Sequence, residues 1–148
     1  MANAKIDIVG LGDVPLIANL YGQIFKPARD AEFFKRRFLG RYNELMLVAS
    51  VDDRPVGFFA GFELKPTVFF AWLYGVLPDF RRAGIGTQLV EAAQAWAREH
   101  GYESIRLECH NQHRAVLHAA IALGYDIVGI RWDPDHSANL VIFEKVLE

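Results

Sequence analysis

The stretch Val76-Leu77-Pro78-Asp79-Phe80-Arg81-Arg82-Ala83-Gly84-Ile85-Gly86-Thr87 constrains this chain more than any other. The apolar run from Phe69 to Val76 reads as a strand that stops at Pro78, a residue with no N–H for a sheet ladder. A basic turn with two glycines follows, and an amphipathic helix begins at Gly86. Strand, glycine turn and helix N-terminus together offer free backbone N–H groups and a positive dipole end to an anion, usually a phosphate. The rest of the chain must therefore bring a second group up to whatever this cradle holds.

The behaviour of the whole chain limits the choices. Its 148 residues suit one ordinary domain over 1–148, with 52% hydrophobic and 23% charged residues. Sixteen basic residues against 18 acidic leave a net charge of −2, which argues against a general nucleic-acid or anionic-membrane binder. Cys109 is the single cysteine, so no internal disulfide can form. Met1 to Lys5 carries no signal-peptide pattern, and no apolar run is long enough to span a membrane. A cytoplasmic protein with no nucleic-acid or membrane partner is expected.

Around the cradle the polarity pattern predicts seven strands and four helices. Lys5 to Val9 alternates as a first strand; Gly10-Leu11-Gly12 is a turn, and Asp13 is placed to cap a helix carrying Leu16, Ile17, Leu20 and Ile24. The G-x-G does not extend to a dinucleotide fingerprint, because Pro15 stands where the third glycine belongs. Asp30 to Phe38 is a second short helix. Leu45 to Val51 and Val56 to Leu64 form a hairpin about Asp52-Asp53-Arg54-Pro55, and the strand ending at Val76 completes a meander. Gly75, near its end, suggests a bulge or a close backbone approach. The cradle helix closes at Gly101. A strand from Ser104 to His110, a helix from Arg114 to Leu123, and strands Tyr125 to Arg131 and Asn139 to Val146 follow. A meander followed by a strand–helix–strand crossover predicts an α/β (α+β) fold: a mixed, mostly antiparallel sheet of about seven strands with helices on both faces.

Arg81-Arg82-Ala83-Gly84-Ile85-Gly86 resembles the R/Q-x-x-G-x-G/A signature of the GNAT superfamily, the acetyl-CoA-dependent N-acetyltransferases. The context strengthens the resemblance: an apolar strand before, Leu107-Glu108 on the strand after, and Leu123-Gly124-Tyr125, similar to the family's L-G-F/Y ending. It extends over nearly the whole chain. It implies acetyl-CoA as cosubstrate, with the diphosphate on Arg81, Arg82, Ala83, Gly84, Ile85, Gly86 and Thr87. The pantetheine arm is implied to lie along Leu73, Tyr74, Gly75 and Val76, with His110 and Asn111 at the end of the next strand placed to bind CoA or relay a proton. No metal is expected. An amine acceptor is the implied partner, and a homodimer would be in keeping with the family's habit of pairing through sheet edges.

The chain departs from the family where the proton chemistry is done. The usual tyrosine, thought to protonate the leaving thiolate, is replaced by Ala120, the usual asparagine by His113, and a glutamate base used by some members by Phe70. Three residues are candidate substitutes: Tyr74 on the strand before the cradle, which reads equally as a packed aromatic, Glu108, which alternates away from Cys109, and His118, one turn from the missing tyrosine. Cys109 shares a face with Ile105 and Leu107 and reads as core. His110, His113 and His118 straddle a strand end and a helix, without a fourth partner for a metal set. Asp133, Asp135 and His136 fall in a loop that often borders the acceptor pocket in the family. The leading expectation is acetyl transfer to a primary amine of a small molecule or protein by direct attack in a ternary complex. The alternative is a non-catalytic acyl-CoA sensor that kept the cradle and lost turnover.

Overall fold

A computed structural model describes residues 3–148. Seven strands, β1 (Lys5–Val9), β2 (Leu45–Val51), β3 (Arg54–Lys65), β4 (Val68–Val76), β5 (Ser104–His110), β6 (Asp126–Asp133) and β7 (Ala138–Val146), form one sheet. Its order is β1-β2-β3-β4-β5-β7-β6, and every neighbouring pair is antiparallel except β4 and β5. The α-helices are α1 (Val14–Ile24), α2 (Ala31–Phe38), α3 (Ile85–Glu99) and α4 (Arg114–Ala122). None is long and apolar enough to cross a membrane among the described residues.

Adjacent residues of β3 show which helices cover which face. Phe58 packs against Tyr21 and Phe25 of the α1 end, while a Cβ on Gly57 would meet Leu89 of α3. Side chains alternate along a strand, so α1 and α3 lie on opposite faces. In α2 the Asp30 carboxylate accepts the Phe33 N–H at 3.0 Å, and the first turn of the helix is capped. Phe34 and Phe38, four residues apart, are buried against Trp72, with ring centroids 5.6 and 5.8 Å away. Asp13 behaves differently from expectation: it precedes α1 but makes no side-chain cap to it. Its Oδ2 instead accepts the Gly10 N–H at 3.3 Å, closing the short 3-10 turn before the helix.

Two boundaries move for local reasons. The first hairpin turn is two residues, Asp52 and Asp53, and β3 already begins at Arg54. Both aspartates hold positive φ (50° and 64°), the backbone a two-residue hairpin needs, so Arg54 and Pro55 are free to pair. Asp133, expected in a loop, is the last residue of β6 and pairs with Ala138.

The bulge lies in β4 at Trp72 rather than at Gly75. Ala60 pairs with Leu73 and Gly61 with Ala71, leaving Trp72 as the extra residue. Gly75 is explained by close approach: a Cβ there would come within 3.0 Å of Phe25 and 3.1 Å of Ile24. The bulge resets the alternation of β4. Trp72 and Leu73 both fall on the α1–α2 face, and Tyr74 pairs with Phe59 on the α3 face.

Candidate active site

The parallel β4–β5 pairing ends at Ala71 and Leu107, although β4 runs on to Val76 and β5 to His110. Beyond that point the strands diverge, leaving facing backbone groups without ladder partners. The cradle stands at the open end. Leu77 N–H still donates to Val56 O at 2.8 Å, then Pro78–Phe80 makes one 3-10 turn. Arg81 returns its Nε to Val76 O at 3.2 Å, tying the turn to the strand end. Arg82 (φ 67°) and Gly84 (φ 81°) are both left-handed, and Gly84 is the N-cap of α3. Gln88 N–H bonds Gly84 O at 3.0 Å; the N–H groups of Ile85, Gly86 and Thr87 precede it and have no intrahelical acceptor. Unpaired N–H groups at a helix start, with the positive end of its dipole, are able to receive an anion.

A cleft of about 830 Å³ joins these parts. The turn and α3 start contribute Arg81, Arg82, Gly84, Ile85, Gly86 and Thr87; β4 contributes Tyr74, Gly75 and Val76. The opposite wall is α4, with Val116, Ala119 and Leu123 at helical spacing and His113 and Arg114 at its start. Ile24 and Phe25 close one end from α1. The α1 and α4 walls were not read from the sequence. Their residues are far from the cradle in the chain, and an apolar helical face looks the same whether it meets core or ligand.

Tyr74 is the titratable group set deepest in this cleft. Burial, with the Cys109 thiol and Tyr125 nearby, raises its hydroxyl well above the usual phenol range, so it stays protonated. Ala120, at the position of the missing tyrosine, is buried, and its carbonyl accepts the Tyr125 N–H at 3.0 Å. Tyr125 itself is pushed to about 12 by burial and accepts a hydrogen bond from Gln94. Cys109 is buried in the core as expected, and burial raises its thiol to about 11. His113 is lowered from the usual imidazole value by burial and by His110, so it is neutral near pH 7.

Other residues singled out from the sequence sit elsewhere. Leu73 is turned to the α1–α2 face by the bulge, and Ala83 packs on the core beneath the turn. Asn111 is exposed, its N–H donating to Asn139 O at 3.0 Å. Glu108 faces the α1–α2 side, where it accepts Arg131 Nη2 at 2.9 Å. His118 is exposed and lies two residues from both Val116 and Ala120, about 200° around the helix from each. It therefore points away from the cleft. Asp133 receives His110 Nε2 at 3.0 Å and His136 Nδ1 at 2.9 Å on one oxygen, and the His110 bond first holds its carboxyl down at about 2.

The face opposite the cleft is aromatic and basic. Arg37 lies over Trp72 and Phe62, 5.5 and 5.4 Å from their ring centres, and Arg41 lies over Phe62 at 4.8 Å. Burial and Arg41 lower the Arg37 guanidinium from its usual value, with Glu108 acting in the other direction.

Known proteins agree with this geometry. The profile of the acetyltransferase (GNAT) family matches residues 15–125. An aminoglycoside N(6')-acetyltransferase type 1 from Acinetobacter genomosp. 13 is 46% identical over 56 residues. That match covers 38% of this chain and 36% of the relative, so it spans about a third of the curated protein. The ribosomal-protein-S18-alanine N-acetyltransferase from Escherichia coli superposes with a TM-score of 0.85, covering 99% of this chain and 95% of that one at 17% identity. A GNAT family acetyltransferase from Elizabethkingia anophelis with acetyl-CoA bound gives a TM-score of 0.78 over 98% and 99% of the two chains, at 16% identity. With the cradle, the diverging strands and a profile match across most of its length, this chain belongs to the acetyltransferase (GNAT) family.

Proposed function

We propose that the chain transfers an acetyl group from acetyl-CoA to a primary amine of a small molecule or protein, by direct attack in a ternary complex. The observation that carries this reading is Tyr74, re-aimed by the Trp72 bulge into the cleft that begins at the Gly84–Thr87 helix start. The diphosphate of acetyl-CoA would take the N–H groups of Ile85, Gly86 and Thr87, with Arg81 and Arg82 adding charge. The pantetheine arm would pair with the free backbone of β4 between β4 and β5.

In this reading the neutral amine approaches from the α1–α2 face and its nitrogen attacks the thioester carbonyl carbon. The C–S bond breaks, and the thiolate takes a proton from the Tyr74 hydroxyl, filling the role that Ala120 cannot. Glu108, on the acceptor side beside Arg131, takes the proton released by the new amide nitrogen, directly or through water. Proton return from Glu108 to Tyr74 through solvent closes the cycle. His118 has no part, because it faces away from the cleft. Proximity supplies much of the rate, and acid–base help about 10²–10⁴-fold.

The test is release of free CoA thiol across a panel of aminoglycosides, polyamines, amino acids and peptides. Turnover on any amine supports the enzyme; acetyl-CoA binding without turnover on any would favour the sensor. Tyr74→Phe should lower kcat at least about 10-fold while leaving KM for acetyl-CoA nearly unchanged. Unchanged kcat would remove Tyr74 as the acid.

A further inference from the structure

The end of β5 and the β6–β7 turn meet in a side-chain cluster that acyl transfer does not use. His110 is the last residue of β5 and Asp133 the last of β6, while His136 sits in the connecting turn. His110 Nε2 and His136 Nδ1 lie 3.0 and 2.9 Å from the same oxygen, Asp133 Oδ2, and all three atoms are within 4.8 Å of one another. The other carboxylate oxygen is engaged separately: Asp135 N–H donates to Oδ1 at 3.1 Å. That backbone bond fixes the carboxylate plane and leaves Oδ2 aimed between the two rings. It is the kind of outer contact that orients a metal ligand.

We propose that His110, Asp133 and His136 form a binding site for a divalent first-row transition cation such as Zn²⁺. With bonds of about 2.1 Å, donors around a tetrahedral ion stand about 3.4 Å apart, so the two nitrogens now hydrogen-bonded to Asp133 Oδ2 need move out by only about half an ångström to admit one. Two imidazoles and one carboxylate are a borderline donor set, suited to Zn²⁺, Co²⁺ or Ni²⁺ rather than to Mg²⁺ or Ca²⁺, which prefer oxygen. One face of the cluster is open, because His136 is half exposed, so water can complete the coordination. The His113 ring, 5.5 Å from that of His110, is the next imidazole available on the cleft side. Binding needs each ring in the tautomer whose lone pair, rather than its N–H, faces the ion.

The grouping differs from the one the sequence suggests by spacing. His110, His113 and His118 are close in the chain, but His118 points outward from α4. The trio here is assembled by sheet register, which pairs His110 with Leu140 and Asp133 with Ala138 on neighbouring strands. An ion would cross-link the free end of β5 to the turn at the sheet's far edge. That is a structural role, independent of the acyl-transfer reading.

The test uses untagged, chelator-stripped protein with no acetyl-CoA or acceptor present. Titration calorimetry with Zn²⁺ should show one saturable site per chain, and Co²⁺ should give a visible absorption band on addition. His136→Ala changes only a turn side chain, and Asp133→Asn keeps the shape while removing the charge. Each should weaken Zn²⁺ binding at least about 10–100-fold and abolish the Zn²⁺-dependent rise in Tm. His118→Ala should leave both unchanged. The proposal is overturned if wild-type protein gives no saturable site, or if the two ligand variants bind Zn²⁺ as wild type does.

Discussion

Gly84 and Gly86 carry different burdens in the cradle. Gly84 has φ 81°, so any side chain there strains the backbone and confuses folding with anion binding. Gly86 lies in α3, and a Cβ there would meet only Val76 Cγ2 at an ordinary 3.8 Å. An acidic residue also suits a helix N-terminus. Gly86→Glu should therefore change stability by no more than about 0.5 kcal/mol, yet weaken acetyl-CoA at least about 10-fold by setting a carboxylate against the diphosphate. Calorimetry and thermal unfolding on the same sample check both halves. Cys109 illustrates the opposite case of a chemically interesting residue made inert by its surroundings. Burial raises its thiol from 9.0 to about 11, so the thiolate is scarce at pH 8 and grows only as pH rises. Native protein should react with a thiol reagent at pH 8 far more slowly than urea-unfolded protein; equal rates would contradict the burial.

At the scale of elements, the β3–β4 pair does the positioning. Without the extra residue at Trp72, strict alternation would carry Tyr74 to the α1–α2 face with Trp72, and the cleft would lose its buried hydroxyl. Gly61 permits this arrangement. A Cβ on it would lie 2.6 Å from Phe70 O and 2.9 Å from the Phe59 and Phe69 rings, all within a packed sheet. Backbone cannot retreat there, so Gly61→Ala should destabilise the fold by about 2 kcal/mol or more in chemical denaturation. A shift below about 0.5 kcal/mol would mean the β3–β4 register can slip without cost. The bulge could not be placed from sequence, because Trp72 and Leu73 are both apolar and fit either face. Gly75 drew attention for the right physical reason, close approach to Phe25, while the register shift lay three residues earlier.

At the scale of the whole molecule, the useful feature is a sheet that stops being a sheet. The β4–β5 ladder ends at Ala71 and Leu107, leaving backbone donors and acceptors that a ligand can complete. Acetyl-CoA should therefore slow hydrogen exchange at Trp72–Val76 and at Ile85–Thr87, and leave β1 and β2 at their free rates. Uniform slowing would point to global stabilisation without engagement of these groups. Alkaline stability follows from the same buried wall. Tyr125 is raised to about 12 in the fold, against about 10 for an exposed phenol. Its contribution is present below pH 10 and lost as pH climbs toward 12. Tyr125→Phe should thus reduce the fall in denaturation stability between those values, with Tyr74 and Cys109 retaining part of it.

The sequence by itself determined the seven strands, the four helices, their order and the glycine turn that opens α3. Each of these is written locally, in hydrophobic period, turn residues and the spacing of Arg81, Gly84 and Gly86. It also predicted the mixed sheet, since a meander followed by a crossover leaves few other arrangements. Only the tertiary structure decided which side chains share a site. Tyr74 reached the cleft through a bulge, while Glu108, facing away from Cys109 as its alternation predicts, found its partner in Arg131. His118 turned outward, and His110 joined Asp133 and His136 instead of the histidines nearest to it in the chain. The physical reason is common to all four. A side chain's direction depends on strand register and helix phase, and a shift of one residue reverses it.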